Sequence, residues 1–146
     1  MVSIPVAQSI QSILINTAGT FTRSATWTSN LDGEIMDLMS HLHDGGVSLV
    51  LKADGEVVCD STAHYGETPE YLAAPGAMIT PGSATKHISS QTTCDPAKMK
   101  TRQMKKGQKW EITANYDFDK FAPMLDENGE MEPVMGLALM YVRAKK

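Results

Sequence analysis

Between Lys109 and Tyr116 the chain alternates without a break. Trp110, Ile112, Ala114 and Tyr116 fall on one side, and Lys109, Glu111, Thr113 and Asn115 on the other. A period of two places all four apolar side chains on one face of an extended strand. The other face is left to water, as in a half-buried antiparallel sheet. The same rhythm, broken by turn residues, runs through most of the sequence. Ala7 to Thr17 and Thr20 to Ser29 read as strands, the second Ser/Thr-rich and suited to a sheet edge. Glu34 to His43 alternates, with Ile35, Asp37, Met39, His41 and His43 expected on one face. Met36, Leu38, Ser40 and Leu42 are expected on the other. Val47 to Lys52 and Val57 to Asp60 flank Ala53-Asp54-Gly55-Glu56, a hairpin loop whose Asp-Gly supplies positive φ. Lys86 to Thr93 and Val134 to Val142 complete the strands, and Asp126 to Glu130 is a turn. No segment has a convincing helical period; Asp117 to Leu125 has room for one turn. About eight or nine short strands at this spacing predict one all-β domain over residues 1–146, an antiparallel β-sandwich or jelly roll.

A chain of 146 residues can bury a real core. Its net charge of −4 argues against a nucleic-acid polyanion as the main partner. The basic cluster from Lys98 to Lys109 reads as a solvated loop and strand start. No apolar run approaches the roughly 18 residues of a membrane span. The start, Met1-Val2-Ser3-Ile4-Pro5, does not have the pattern of a signal peptide, which leaves a cytosolic location open. Gly66 to Ser83, with Pro69, Pro75 and Pro81, is the longest irregular stretch and suits a functional loop or lid. There is no Ser-His-Asp signature, phosphate loop or paired-carboxylate motif, which disfavours ordinary hydrolase and nucleotide chemistry.

The chemistry concentrates in Ser40-His41-Leu42-His43-Asp44-Gly45-Gly46. Residues two apart on a strand face the same way, so His41 and His43 can hold one metal ion with little chain entropy to lose. Imidazole suits zinc, copper, nickel and iron. The chain has ten methionines, and a thioether as third ligand would favour copper, because Cu(I) is soft. The competing reading is a solvent-facing or hydrogen-bonded pair. Asp44 can accept a histidine ring N–H and so orient it, or cap the Gly45-Gly46 turn. His64 beside Tyr65 reads as a structural or pocket residue. Asp60 and Asp117 read as turn and strand-end carboxylates. Cys59 and Cys94 lie outside any Cys-x-x-Cys motif and allow one disulfide; the alternative is two buried thiols.

Several segments in order carry a resemblance. They are His41-Leu42-His43-Asp44-Gly45-Gly46, Val58-Cys59-Asp60-Ser61, His64-Tyr65-Gly66, and His87-Ile88-Ser89-Ser90 with Cys94. Lys106-Gly107-Gln108, Ala114-Asn115-Tyr116-Asp117 and Val134-Met135-Gly136-Leu137 follow. Over roughly residues 30 to 143 the chain resembles the stress-up-regulated nodulin family of plants and fungi. At a greater distance it is similar to the copper-binding C-terminal domain of peptidylglycine α-hydroxylating monooxygenase, a jelly-roll-like sandwich. That resemblance implies His41, His43 and Met135 as copper ligands, with Met131 a nearby competitor; the alternative for Met135 is core packing, and His87 reads as a further imidazole ligand or as hydrogen-bonded inside a polar strand. It also implies a secreted or extracellular protein. The monooxygenase holds a second copper through three histidines of another domain. With four histidines in all, this chain alone does not support a two-copper, ascorbate-driven hydroxylase. A lone copper domain of this kind would need a partner domain or an identical subunit to complete its site.

Three functions follow as expectations. One is a mononuclear copper protein that binds or shuttles copper, or catalyses an oxidation where a coordination position is open. A second is a metal-free small-molecule-binding protein, isomerase or cyclase, with His41, His43 or His87 as acid/base groups. The third is a stress-associated structural domain held by the Cys59–Cys94 bridge.

Overall fold

The computed structural model describes residues 3–12, 19–73 and 85–145. Nine strands are seen there: β1 (Ser3–Ser12), β2 (Thr20–Thr28), β3 (Gly33–Leu42), β4 (Gly46–Ala53), β5 (Glu56–Tyr65), β6 (Ile88–Gln91), β7 (Gln103–Met104), β8 (Lys109–Asp117) and β9 (Val134–Ala144). They form two antiparallel sheets, ordered β1-β9-β3-β7 and β2-β8-β4-β5-β6. The result is a β-sandwich. Its only helical pieces among the described residues are single 3₁₀ turns at Pro69–Tyr71 and Pro96–Lys98. The Ser/Thr-rich β2 is indeed an edge strand. The Asp54-Gly55 hairpin turns with φ of 50° and 84°, as a two-residue turn between right-twisted strands requires. Part of the predicted first strand (13–17) and of the predicted long loop (74–83) lies outside the described residues.

The inner faces interdigitate as the alternation predicts. Trp110, Ile112, Ala114 and Tyr116 of β8 meet Val134, Ala138, Met140 and Val142 of β9, with Leu49 and Leu51 from β4. Each large side chain buried this way stabilises by about 1.5–3 kcal/mol. One expectation fails. Ile35 does not share a face with His41 and His43; it is fully buried, together with Leu38 and Leu42. The cause is a register shift between Ile35 and Asp37, where β3 carries a bulge against β9. An extra residue in one strand resets the alternation, so the faces on either side of it are out of phase.

Cys59 and Cys94 form a disulfide, with Cα atoms 5.6 Å apart. It ties β5 to the segment after β6 and closes a 35-residue separation. Replacing both cysteines with alanine is expected to destabilise by about 3–4 kcal/mol, because the unfolded chain regains loop entropy. For a chain of this size that lowers the melting temperature by roughly 10 °C. Calorimetry of the variant, and of the wild type under reductant, measures it; an unchanged midpoint in both contradicts the role.

Candidate metal centre

The outer end of β3, where it pairs with β9, gathers the candidate ligands. His41 lies opposite Leu137 and Leu42 opposite Gly136. Continuing that register sets His43 opposite Met135, and the His43 N–H donates to the Met135 carbonyl at 3.1 Å. Along β9, Val134, Gly136 and Ala138 face inward, so Met135 and Leu137 face outward and are half-buried. His41 is exposed and His43 half-buried on that same outer face. The two imidazoles sit edge to face, with centroids 5.5 Å apart. Two histidines and one thioether therefore share one end of one sheet face.

Their surroundings hold them in place. His43 Nδ1 lies 3.0 Å from the Pro133 carbonyl, which can only accept, so Nδ1 carries the proton. This leaves the Nε2 lone pair free to bind a metal, an arrangement typical of ligating histidines. The Met135 carbonyl accepts a second hydrogen bond, from the Tyr116 hydroxyl at 2.6 Å. Tyr116 comes from the opposite sheet, is buried, and stacks on Phe21. Burial pushes its phenol well above the usual range, so it remains a donor. Nearby, Tyr65 donates to the Gly46 carbonyl at 2.8 Å and stacks on Phe121, which braces the turn that follows His43.

Desolvation by the neighbouring chain on one side of the ring, and then repulsion from His43, lower the His41 pKa below its ordinary 6.5. A neutral imidazole is the form that binds metal. In the metal-free protein, NMR is expected to place the His41 titration midpoint below 6.5; a midpoint at or above it contradicts this. The folded state favours the neutral ring. Its contribution to stability is therefore complete above the unfolded pKa, and is lost as pH falls below 6.5 and the unfolded chain takes up the proton.

β7 pairs with Gly33 and Glu34 of β3, and the Ile35 N–H donates to the Arg102 carbonyl at 2.7 Å; beyond these, among the described residues, no strand pairs with that edge. A groove of about 510 Å³ runs beside it, between Asp37–His41 and residues 88–96, and His41 stands on its wall. A small molecule in the groove would lie beside His41.

The other sequence candidates go elsewhere. His87 Nδ1 is 2.6 Å from Asp44 Oδ2, and Asp44 Oδ1 accepts the Ile88 N–H at 2.8 Å. Asp44, nearly fully buried, thus orients a histidine, but His87 rather than His41 or His43. His64 contacts Thr92 Oγ1 and stands 3.9 Å from Glu67. Met131 packs against the core and bridges to Leu125. Asp60 is exposed on β5, and Asp117 accepts the Asp119 and Lys120 N–H groups of a turn. Among the described residues, no three of His, Cys, Asp and Glu come together to hold a metal, so His87 does not join the pair. Pro133 and Tyr116 were not among the sequence candidates. Alternation marks Tyr116 as inward-facing, but nothing local to either residue reveals its partner.

Comparisons with known proteins bear on this geometry. No solved structure matches the chain. The chain is 32% identical over 110 residues to a probable copper-dependent oxygenase, M1, of Phoma sp., covering 75% of this chain and 25% of that protein. It is 32% identical over 110 residues to a probable copper-dependent oxygenase, clz3, of Cochliobolus lunatus, covering 75% of this chain and 31% of that protein. The chain therefore spans about a quarter to a third of the length of these relatives. The stress up-regulated Nod 19 family matches residues 6–144. The chain belongs to that family.

Proposed function

We propose that this chain is the copper-binding sandwich of a copper-dependent oxygenase, with His41, His43 and Met135 holding the ion. The observation that carries this reading is the β3–β9 register, which sets Met135 opposite His43 on the face that His41 shares. The donor set fits copper: two imidazoles, one with its Nδ1 already committed to Pro133, and a thioether that suits Cu(I). The names of the relatives, both probable copper-dependent oxygenases, point the same way. When bound, copper supplies one-electron redox chemistry toward dioxygen.

The chain's own groups do the rest. The Pro133 carbonyl and the Tyr116 hydroxyl fix one histidine and the Met135 backbone. His41 presents a neutral imidazole, and the groove along the open edge of β3 holds a small-molecule substrate beside it. The Cys59–Cys94 bridge supports an oxidising, extracellular setting. Because the matched segment covers only 25% and 31% of these relatives, a further domain or a second copy would complete the electron supply.

Anaerobic Cu(I) titration tests the reading. One tight equivalent per chain is expected. No tight binding by the wild type overturns it and gives the histidines to acid–base or structural work.

A further inference from the structure

Met39 stands two residues before His41 on β3, so both side chains project from the same outer face, about 7 Å apart along the strand. At 48% exposure it is the most exposed large apolar side chain among the described residues. Met39 and His41 both line the groove beside β3.

An antiparallel sheet with one wet face gives its outward positions to polar side chains. The outer face of β8 does so, with Lys109, Glu111, Thr113 and Asn115. Around His41 the outward positions differ. Leu139 lies opposite Met39 and Leu137 opposite His41, and both leucines are half-buried. The outward residues are Met39, His41 and His43 on β3, and Met135, Leu137 and Leu139 on β9; none carries a side-chain oxygen. Thioether and imidazole are the donors this surface offers, a set that suits soft Cu(I) rather than hard, oxygen-seeking cations.

His41 is also the histidine left unanchored. His43 bonds to Pro133, His64 to Thr92 and His87 to Asp44. Among the described residues the His41 ring nitrogens have no hydrogen-bond partner; the ring meets His43 edge to face. A ring with no fixed partner can turn toward His43 or toward Met39. An ion held between His41 and His43 lies on the far side of His41 from Met39, so Met39 cannot serve it. An ion between Met39 and His41 occupies a separate position, and the unbranched methionine, with three rotatable bonds, can adapt to it.

We propose that Met39 and His41 form an entry site for Cu(I), from which the ion passes to His41, His43 and Met135. The inference rests on the reading of those three residues as the copper site. The transfer is a ligand exchange: the Met39 sulfur leaves, the His43 nitrogen and the Met135 sulfur bind, and the metal stays Cu(I). Two ligands give way to three, which sets the direction.

The full chain, carrying ¹³C-methyl methionine, is titrated with Ag(I), a redox-inert stand-in for Cu(I), and followed by NMR. The Met39 signal is assigned by its absence from Met39→Leu. A second, weaker equivalent of Ag(I) is expected to move the Met39 methyl. The Met36 methyl, 40% exposed but outside the groove, should stay in place. Met39→Leu should keep the first equivalent at wild-type affinity and lose the second. It should also slow Cu(I) uptake from a chromophoric chelator by about tenfold. His43→Ala separates this inference from the reading beneath it, because it removes the main site and keeps the entry pair. A Met39 methyl that moves in His43→Ala supports the pair even where wild type has no tight first equivalent, a result that would instead overturn the main site. A Met39 methyl that stays in place in both proteins overturns the entry site. So does wild-type uptake by Met39→Leu.

Discussion

Changing His41 and His43 together to alanine is expected to abolish tight Cu(I) binding and leave the sandwich folded. Both side chains lie on the outer face of β3, one exposed and one half-buried, so neither fills the core. Surface substitutions of this kind usually change stability by less than about 0.5 kcal/mol. The loss of the Nδ1 bond to Pro133 exposes that carbonyl to solvent rather than burying it unpaired. Binding should fall much further, on the order of a hundredfold for each ligand removed. Met135→Leu separates the thioether from its packing: the leucine keeps the apolar volume and loses the sulfur. It should weaken Cu(I) and leave the melting temperature almost unchanged. Anaerobic competition against a chromophoric Cu(I) chelator gives both numbers. Wild-type affinity in the double-histidine variant would sink the assignment of these ligands.

Gly45→Val should be among the most destabilising single changes in the chain, although it lies on a turn. Gly45 has φ of +87°, a backbone conformation that a β-branched residue strongly resists. An added Cβ would also stand 2.2 Å from Phe118 Cε1, inside the ring that closes this end of the core. Left-handed strain of about 1–3 kcal/mol adds to overpacking of about 1–3 kcal/mol. The sum, about 2–6 kcal/mol, is a large part of the stability of a typical domain. A comparison of alanine variants divides the two causes. Gly55 has φ of +84° and nothing within 4 Å of its would-be Cβ, so Gly55→Ala reports the backbone alone. Gly45→Ala should cost clearly more, and the excess belongs to Phe118. Equal urea midpoints for the two would show that the contact contributes nothing. Because Gly45 follows His43 by two residues, Cu(I) affinity should weaken in the same variants that move this turn.

Strands are legible in a sequence because side-chain alternation is a local property of an extended backbone. Lys109 to Tyr116 shows this fully: every residue predicted to face inward on β8 is buried. The Asp54-Gly55 turn is local as well, since it depends on which residues tolerate positive φ. The pairing of His41 with His43 needs only their spacing, and their rings do meet. Met135 was reached through motif order. Its position opposite His43 depends on how β9 pairs with β3, nearly a hundred residues away in the chain.

From its own sequence this protein had its β class, most of its strands and turns, and the neighbouring histidines. Each of these depends on contacts within a few residues. Only the tertiary structure decided the bulge that turns Ile35 into the core, the commitment of Asp44 to His87, and the reach of Tyr116 from one sheet to Met135 in the other. It also brought Trp27 onto Trp110. Those outcomes rest on strand register and on sheet-to-sheet packing, which are set by the competition of all inward side chains for one core. No short stretch of sequence contains that competition.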